Sequence, residues 1–283
     1  MLVFVCHDSF SDADDPMTLS PQAPDRFALE KWYLDVVEPD GSASIAYWAS
    51  LTWMGVDVTW HNVCRYALGA PPEERSSLRR VPPPSSVGGR IAWESKRLEL
   101  ETVHDAATPA LSLTLLDDAR GRVTWECVAP SARAHVVSDG VRSEGTGYAE
   151  RISMTVRPWE MPLDELRWGR WMSDDASVSL VWIDWRGPSP RRWVVCNGAL
   201  NDDASVGDDG VALGRGRLAL GAPRTLHDRS VNKLLRGITG LARVAARIPI
   251  GWEEAKWCSR ATWTNAAGEH VQGWAIHELV RFP

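Results

Sequence analysis

Short runs of alternating apolar and polar residues, separated by turn residues, fill most of this chain. A strand turns successive side chains to opposite faces and so gives that alternation. EKWYLDVVE (30–38) and SASIAYWASLTW (42–53) are joined by Pro39, Asp40 and Gly41, where glycine supplies the positive φ of a hairpin turn. VDVTWHNVCRYAL (56–68) reads as a third strand. The stretches 69–74 and 81–89, the latter with a triple proline and paired glycines, read as loops. IAWESKRLELETV (91–103), ALSLTLLDD (110–118), GRVTWECVAP (121–130) and RAHVVSDG (133–140) follow, and TGYAERISMTV completes the first half. Evenly spaced short strands with turn residues between them predict a meander that closes into a barrel or sandwich.

The second half begins after Pro158 and Pro162 and runs through LRWGRWMS, ASVSLVWIDW and RRWVVCNGAL to the acidic stretch 201–210. It closes with GWEEAKWCSRATWT and HVQGWAIHELVRF. Helical spacing appears once, over 229–248, with Val231, Leu234, Leu235, Ile238 and Leu241 on one side and arginines on the other. This predicts a helix packed over a barrel mouth; contact with a membrane surface is the sharper alternative. DGSASIAYWAS (40–50) lies over DASVSLVWIDW (175–185) with Tyr47 and Trp182 in register, and Gly147-Tyr148-Ala149 recurs as Gly273-Trp274-Ala275. A repeat of about 130 residues predicts an all-β chain of two similar antiparallel barrels, 1–157 and 158–283.

Composition narrows the function classes. The 283 residues are 44% hydrophobic and 24% charged, with a net charge of −6, which argues against a nucleic-acid partner. The opening MLVFVCHDSFSDADD is too briefly apolar for a secretory signal, and no run is long enough to span a membrane. Five widely spaced cysteines fit neither a disulfide framework nor a zinc site, so reduced thiols in the cytoplasm are expected. The acidic stretch lacks calcium-loop spacing, and no serine sits in a nucleophile elbow. Sixteen tryptophans stand against four tyrosines and four phenylalanines. Trp suits both a core and the wall of an apolar pocket, and this surplus points to a cavity for a small hydrophobic ligand.

Residues two apart on a strand share a face, so Tyr148 sits beside Glu150, Trp182 beside Asp184 and Tyr33 beside Asp35. A carboxyl group walled by aromatic rings keeps its proton, and the rings can face a developing cation. Carboxylates held by the many arginines are the alternative, with Arg151 the candidate to keep Glu150 ionised. His61 shares a face with Asp57 and is a candidate helper.

With EKWYLDVVEPDG, GTGYAE, LRWGRW, VWIDWRG and GWAIHELVRF in view, the chain resembles the two-domain lipocalin-like family of carotenoid 1,2-hydratases (hydroxyneurosporene synthases). That family is itself related to lipocalin-like Diels–Alderases. The resemblance implies paired calycin-type barrels, an elongated apolar pocket, no metal or organic cofactor, and proton-initiated hydration or cyclisation of a polyene, terpenoid or polyketide-like substrate. Carried onto this sequence, it makes Asp184 the proton donor and Glu150 its partner or the base. Trp182 and Tyr148 then stabilise the cation, and Trp48, Trp53, Trp171, Tyr33, Asp35 and His61 shape the pocket. The family's His, Asn and Trp after the acid are replaced here by Arg151, Ile152 and Ser153. A non-catalytic carrier of an apolar pigment or lipid uses the same barrel and rings. A monomer or homodimer is expected.

Overall fold

The structure is a computed structural model, and it describes residues 26–230 and 253–282 together with the backbone of Thr18 and Leu19. The first sheet holds β1 (Thr18–Leu19), β2 (Ala28–Val37), β3 (Ala43–Trp53), β4 (Val56–Tyr66), β5 (Glu73–Ser77), β6 (Ser85–Val87), β7 (Arg90–Ser95), β8 (Leu100–Ala106), β9 (Leu111–Asp118), β10 (Gly121–Ser138) and β11 (Val141–Met154). The second holds β12 (Glu165–Ser173), β13 (Ser179–Arg186), β14 (Arg191–Cys196), β15 (Ala199–Asn201), β16 (Ser205–Val206), β17 (Gly210–Leu213), β18 (Gly216–Ser230), β19 (Glu253–Asn265) and β20 (His270–Arg281).

Both sheets are antiparallel, in the orders β1-β4-β3-β2-β11-β10-β8-β7-β6 and β15-β14-β13-β12-β20-β19-β18-β17-β16, with β5 added on β4 and β9 on β10. Each half therefore places its first long strand between its hairpin partner and its own last strand. The sheets curl. Trp32 and Leu34 of β2 share one apolar cluster with Ile91 and Trp93 of β7, from the far side of the same sheet. Trp171 of β12, Val211 of β17 and Leu218 of β18 do the same in the second. The chain is two antiparallel barrels.

A third cluster lies between the barrels, where Tyr33, Tyr47, Trp60 and Tyr148 of the first meet Trp168, Ile183, Trp185 and Ile276 of the second. The strands that form this seam are covered on both faces: every residue from Lys31 to Val37 and from Ser179 to Trp185 is buried. That is why they read as near-continuous apolar runs. Three compartments result: inside the first barrel, between the barrels, and inside the second.

Several expectations change. The polar strand β5 begins within the stretch 69–74 read as a loop, β6 lies in the stretch 81–89, and β16 lies in the acidic stretch; they are held by backbone pairing to β4, β7 and β17. Tyr47 and Trp182 are not equivalent, because Tyr47 faces the seam and Trp182 the interior of the second barrel. Tyr33 pairs with Tyr47, whereas Trp168, the counterpart of Tyr33, pairs with Ile183, so the match is one residue out of step. Arg229 and Ser230, expected to start the helix over 229–248, end β18; the rest of that helix and Cys6 fall outside the described residues. Cys64, Cys127, Cys196 and Cys258 are buried, and no disulfide joins them. Among the described residues no helix is long and apolar enough to cross a membrane.

Candidate functional site

Strand alternation aims Lys31, Tyr33 and Asp35 of β2 into the seam, and the neighbouring strands add Tyr47, Tyr66, Tyr148 and Glu150. The second barrel answers with Trp168 and Arg170 of β12, His227 of β18, Glu254 and Lys256 of β19, and Glu278 of β20. All these charged residues are buried. Buried ionisable groups in such number are uncommon in a protein core and collect at functional sites.

Glu150 is 2% exposed. Its Oε2 accepts hydrogen bonds from Trp125 Nε1 (2.6 Å), the Tyr148 hydroxyl (2.7 Å) and Trp168 Nε1 (3.1 Å). Burial pushes its pKa up, and these three donors offset that only in part, so the net shift is upward. With Oε2 facing three donors, a proton taken up by Glu150 belongs on Oε1. Arg151 does not reach Glu150; it lies on the opposite face and pairs with Glu126 (2.7 Å) and Glu30 (3.6 Å).

Lys256 stands over the rings of Tyr33 (5.0 Å), Trp168 (5.3 Å) and Tyr47 (5.7 Å), and its ammonium pairs with Glu278. These rings form a box: the Tyr33 centroid lies 5.0 Å from Trp168 and 5.3 Å from Tyr47. A box that holds an ammonium has the electrostatic character needed beside any cation. Lys31 lies 4.6 Å over Tyr47, and burial lowers its pKa to about 8, against the opposing pull of Glu254, Glu278 and Glu150. At one end of the group the Tyr66 hydroxyl meets His227 Nδ1 at 3.2 Å, and His227 Nε2 meets Glu254 Oε1 at 3.0 Å.

The candidates from sequence divide among the three compartments. Glu150, Tyr148, Tyr33, Asp35 and Trp53 share the seam, with Trp53 at its edge against Phe27 and Trp159. Asp35 is engaged by Arg170, whose Nε lies 3.0 Å away and whose Nη2 makes a second, shorter contact. Trp48 and His61 point into the first barrel, where Trp48 also borders an open groove of about 360 Å³ with Ser50, Thr52 and Arg122. Trp171 and Trp182 fill the second barrel. The six pocket-shaping residues thus do not line one cavity.

Asp184 calls for a correction. It is 2% exposed, yet Arg186 Nε and Arg192 Nε each donate to it at 2.8 Å. Each carboxylate oxygen is thus engaged by a guanidinium, as in the arginine-held alternative, and Asp184 is not presented as the expected proton donor. The aromatic–acid spacing at 182 and 184 is the same as at 148 and 150, but alternation aims the second pair away from the seam.

Lys31, Tyr66, His227, Glu254, Lys256 and Glu278 were not singled out from the sequence. A signal exists: EKWYLDVV, EAKWCS and IHELV each set a charged residue inside an apolar run that no turn interrupts.

The chain matches no protein-family model. Nor does any curated protein match it in sequence. Solved structures do match. CghA is 12% identical over 90% of this chain and 88% of its own, with a TM-score of 0.52, and CghA with Sch210972 gives 0.53. Kievitone hydratase from Nectria haematococca is 10% identical over 93% of this chain and 91% of its own, with a TM-score of 0.52. Likeness at such identity shows the fold: two lipocalin-like barrels packed side by side.

Proposed function

We propose that this chain is a hydratase or cyclase acting on an apolar unsaturated substrate of isoprenoid, polyene or polyketide-like type, with Glu150 as the acid. The observation that carries this reading is Glu150 itself, a buried carboxyl whose pKa is raised by burial and which is presented by Trp125, Tyr148 and Trp168. An acid that keeps its proton can deliver it to a carbon–carbon double bond. The Tyr33, Tyr47 and Trp168 rings, which already face the Lys256 ammonium, are the groups proposed to face the developing positive charge. Capture of that charge by water is hydration, and capture by a group of the same substrate is cyclisation. The name of kievitone hydratase, which shares the fold, agrees with this reading.

The test is product formation by the purified protein from a panel of unsaturated isoprenoid and polyketide-like compounds, followed by mass spectrometry. A hydrated or isomeric product that Glu150→Gln loses while remaining folded supports the reading. Binding of the same compounds without change by both proteins makes the chain a carrier.

A further inference from the structure

We infer that the open end of the first barrel holds a second binding site, for a neutral ligand rich in hydroxyl groups, of the size of a mono- or disaccharide. The site lies on the face of β2 turned away from the seam, so it stands apart from the chemistry proposed there.

Strand register builds its floor. Thr124 of β10 pairs with Ser153 of β11, Ser153 with Glu30 of β2, Glu30 with Ser50 of β3, and Ser50 with Thr59 of β4. Partners across an antiparallel ladder turn their side chains to the same face. Four hydroxyls and one carboxylate thus form a single row across five neighbouring strands, at about 4.8 Å per strand. All five side chains are half-buried. None of the four hydroxyls makes a hydrogen bond among the described residues.

The row lies in a concavity. Two adjoining cavities, of about 360 and 480 Å³, share Ser50 as a lining residue; the first reaches Thr124, Ser153 and Glu30, and the second reaches Thr59. Spaces of this size suit a small molecule. Val81 and Pro82 form the far wall, and two indoles hold it in place. Trp48 Nε1 donates to the Val81 carbonyl and Trp93 Nε1 to the Pro82 carbonyl, each at 3.0 Å. Pro82, Pro83 and Pro84 stiffen this wall by fixing φ.

One pair deeper on the same face, Arg151, Trp32, Trp48 and His61 form the next row. Trp48 lines the first cavity. His61 is fully buried, in register with Trp48 and two residues from Thr59 on the same strand. Neither of its ring nitrogens has a hydrogen-bond partner among the described residues. A buried imidazole in that state costs free energy until something polar reaches it. A ligand hydroxyl both donates and accepts, and so meets the ring in either tautomer.

The lining also sets the class of ligand. Its charges balance, Glu30 and Asp57 against Arg80 and Arg122, and Arg122 is already paired with Asp117 at 2.7 Å. Nothing in that balance favours an anion or a cation. An apolar ligand would strip water from four hydroxyls and give them nothing in return. Serine and threonine hydroxyls rotate to donate or accept, which matches a ligand whose own hydroxyls do both. Trp48 adds an aromatic wall for the C–H face of such a ligand.

The test is a titration of the full chain with maltose, sucrose and methyl glucoside, with glucose 6-phosphate as the anionic counterpart. Calorimetry and the His61 ring signal in NMR follow it. A neutral sugar is expected to bind, and the His61 signal to shift as the groove fills. Ser50→Leu changes the residue common to both cavities and is expected to weaken that binding by about tenfold or more. Thr59→Val is expected to act in the same direction and serves if Ser50→Leu does not fold. Both variants are expected to keep wild-type turnover at the seam, so the two sites fail or stand separately. Absence of binding by all three neutral sugars overturns the inference. So does sugar binding that both folded variants retain, or that leaves the His61 signal unmoved. Tighter binding of glucose 6-phosphate than of any neutral sugar overturns the neutral class.

Discussion

Asp35 of the first barrel and Arg170 of the second face each other across the seam with neither side chain exposed to solvent. The guanidinium spends its Nε and Nη2 on the two carboxylate oxygens and its Nη1 on the Trp274 carbonyl at 3.3 Å. Removing one partner leaves a buried charge, whereas removing both leaves a surface that apolar side chains can fill. Asp35→Leu and Arg170→Met are each expected to lower unfolding stability by about 3–5 kcal/mol, and the two together by clearly less than their sum. Urea unfolding of the four proteins completes the cycle. Additive losses would show that the two side chains do not interact.

The two carboxyls that look alike in sequence are expected to part in function. Glu150→Gln keeps an acceptor for Trp125, Tyr148 and Trp168 but has no acid proton, so product formation falls by about 100-fold or more with little change in stability. Activity of the wild type falls as pH rises through a pKa above that of an ordinary glutamate. Asp184→Asn instead weakens two contacts to partly exposed arginines and costs about 1–2 kcal/mol of stability. Its turnover is expected to stay at the wild-type level, and a loss there would return the acid role to Asp184.

Lys31 bears on alkaline stability. The folded chain gives up this proton near pH 8 while an unfolded lysine keeps it to 10.5. Stability therefore rises as pH climbs from 8 to 10.5, because the unfolded chain binds the extra proton over that window. Lys31→Met is expected to be more stable than wild type at pH 7, by about 1–3 kcal/mol, and to lack the rise. Parallel unfolding curves at pH 7 and 10 decide this.

Acid acts in part through the first barrel. His61 and His104 are fully buried, and desolvation lowers both to about 4 from 6.5. His104 Nε2 donates to the Asp35 carbonyl at 2.9 Å, whereas neither ring nitrogen of His61 has a hydrogen-bond partner among the described residues. Below pH 6.5 the unfolded chain takes up protons that the folded chain refuses, so stability falls until about pH 4. His61→Gln is expected to remove about 2–3 kcal/mol of that fall, read as the difference in urea midpoint between pH 7 and pH 4.5. An unchanged difference would place the acid sensitivity elsewhere.

The strands, their hairpins and the two-barrel fold were legible because alternation and turn chemistry are local signals. Asp40-Gly41 places a positive φ of 88° where the first hairpin needs it. The assignment of faces was not legible. A strand such as β13, covered on both sides, has no polar face to say which way Trp182 or Asp184 points, and one residue of slip in the hairpin exchanges the two sides. Glu150 was found because its own ring neighbour is two residues away. Tyr66 and His227 were missed because they lie 161 residues apart and meet only where the barrels pack, and Glu254 because it reaches His227 from the neighbouring strand, 27 residues on. No composition or spacing carries that information.

The ion pair at the seam also bears on symmetry. Asp35 and Arg170 occupy the first long strand of their respective barrels, and those strands hold the same place in the two sheets. When identical copies associate about a two-fold axis, a residue close to the axis meets its own duplicate. Two copies of the first barrel joined there would set aspartate against aspartate, and two of the second arginine against arginine. The contact works only as an unlike pair. Each barrel is thus the other's obligate complement, and carrying both on one polypeptide guarantees a one-to-one match that free halves would have to find by chance.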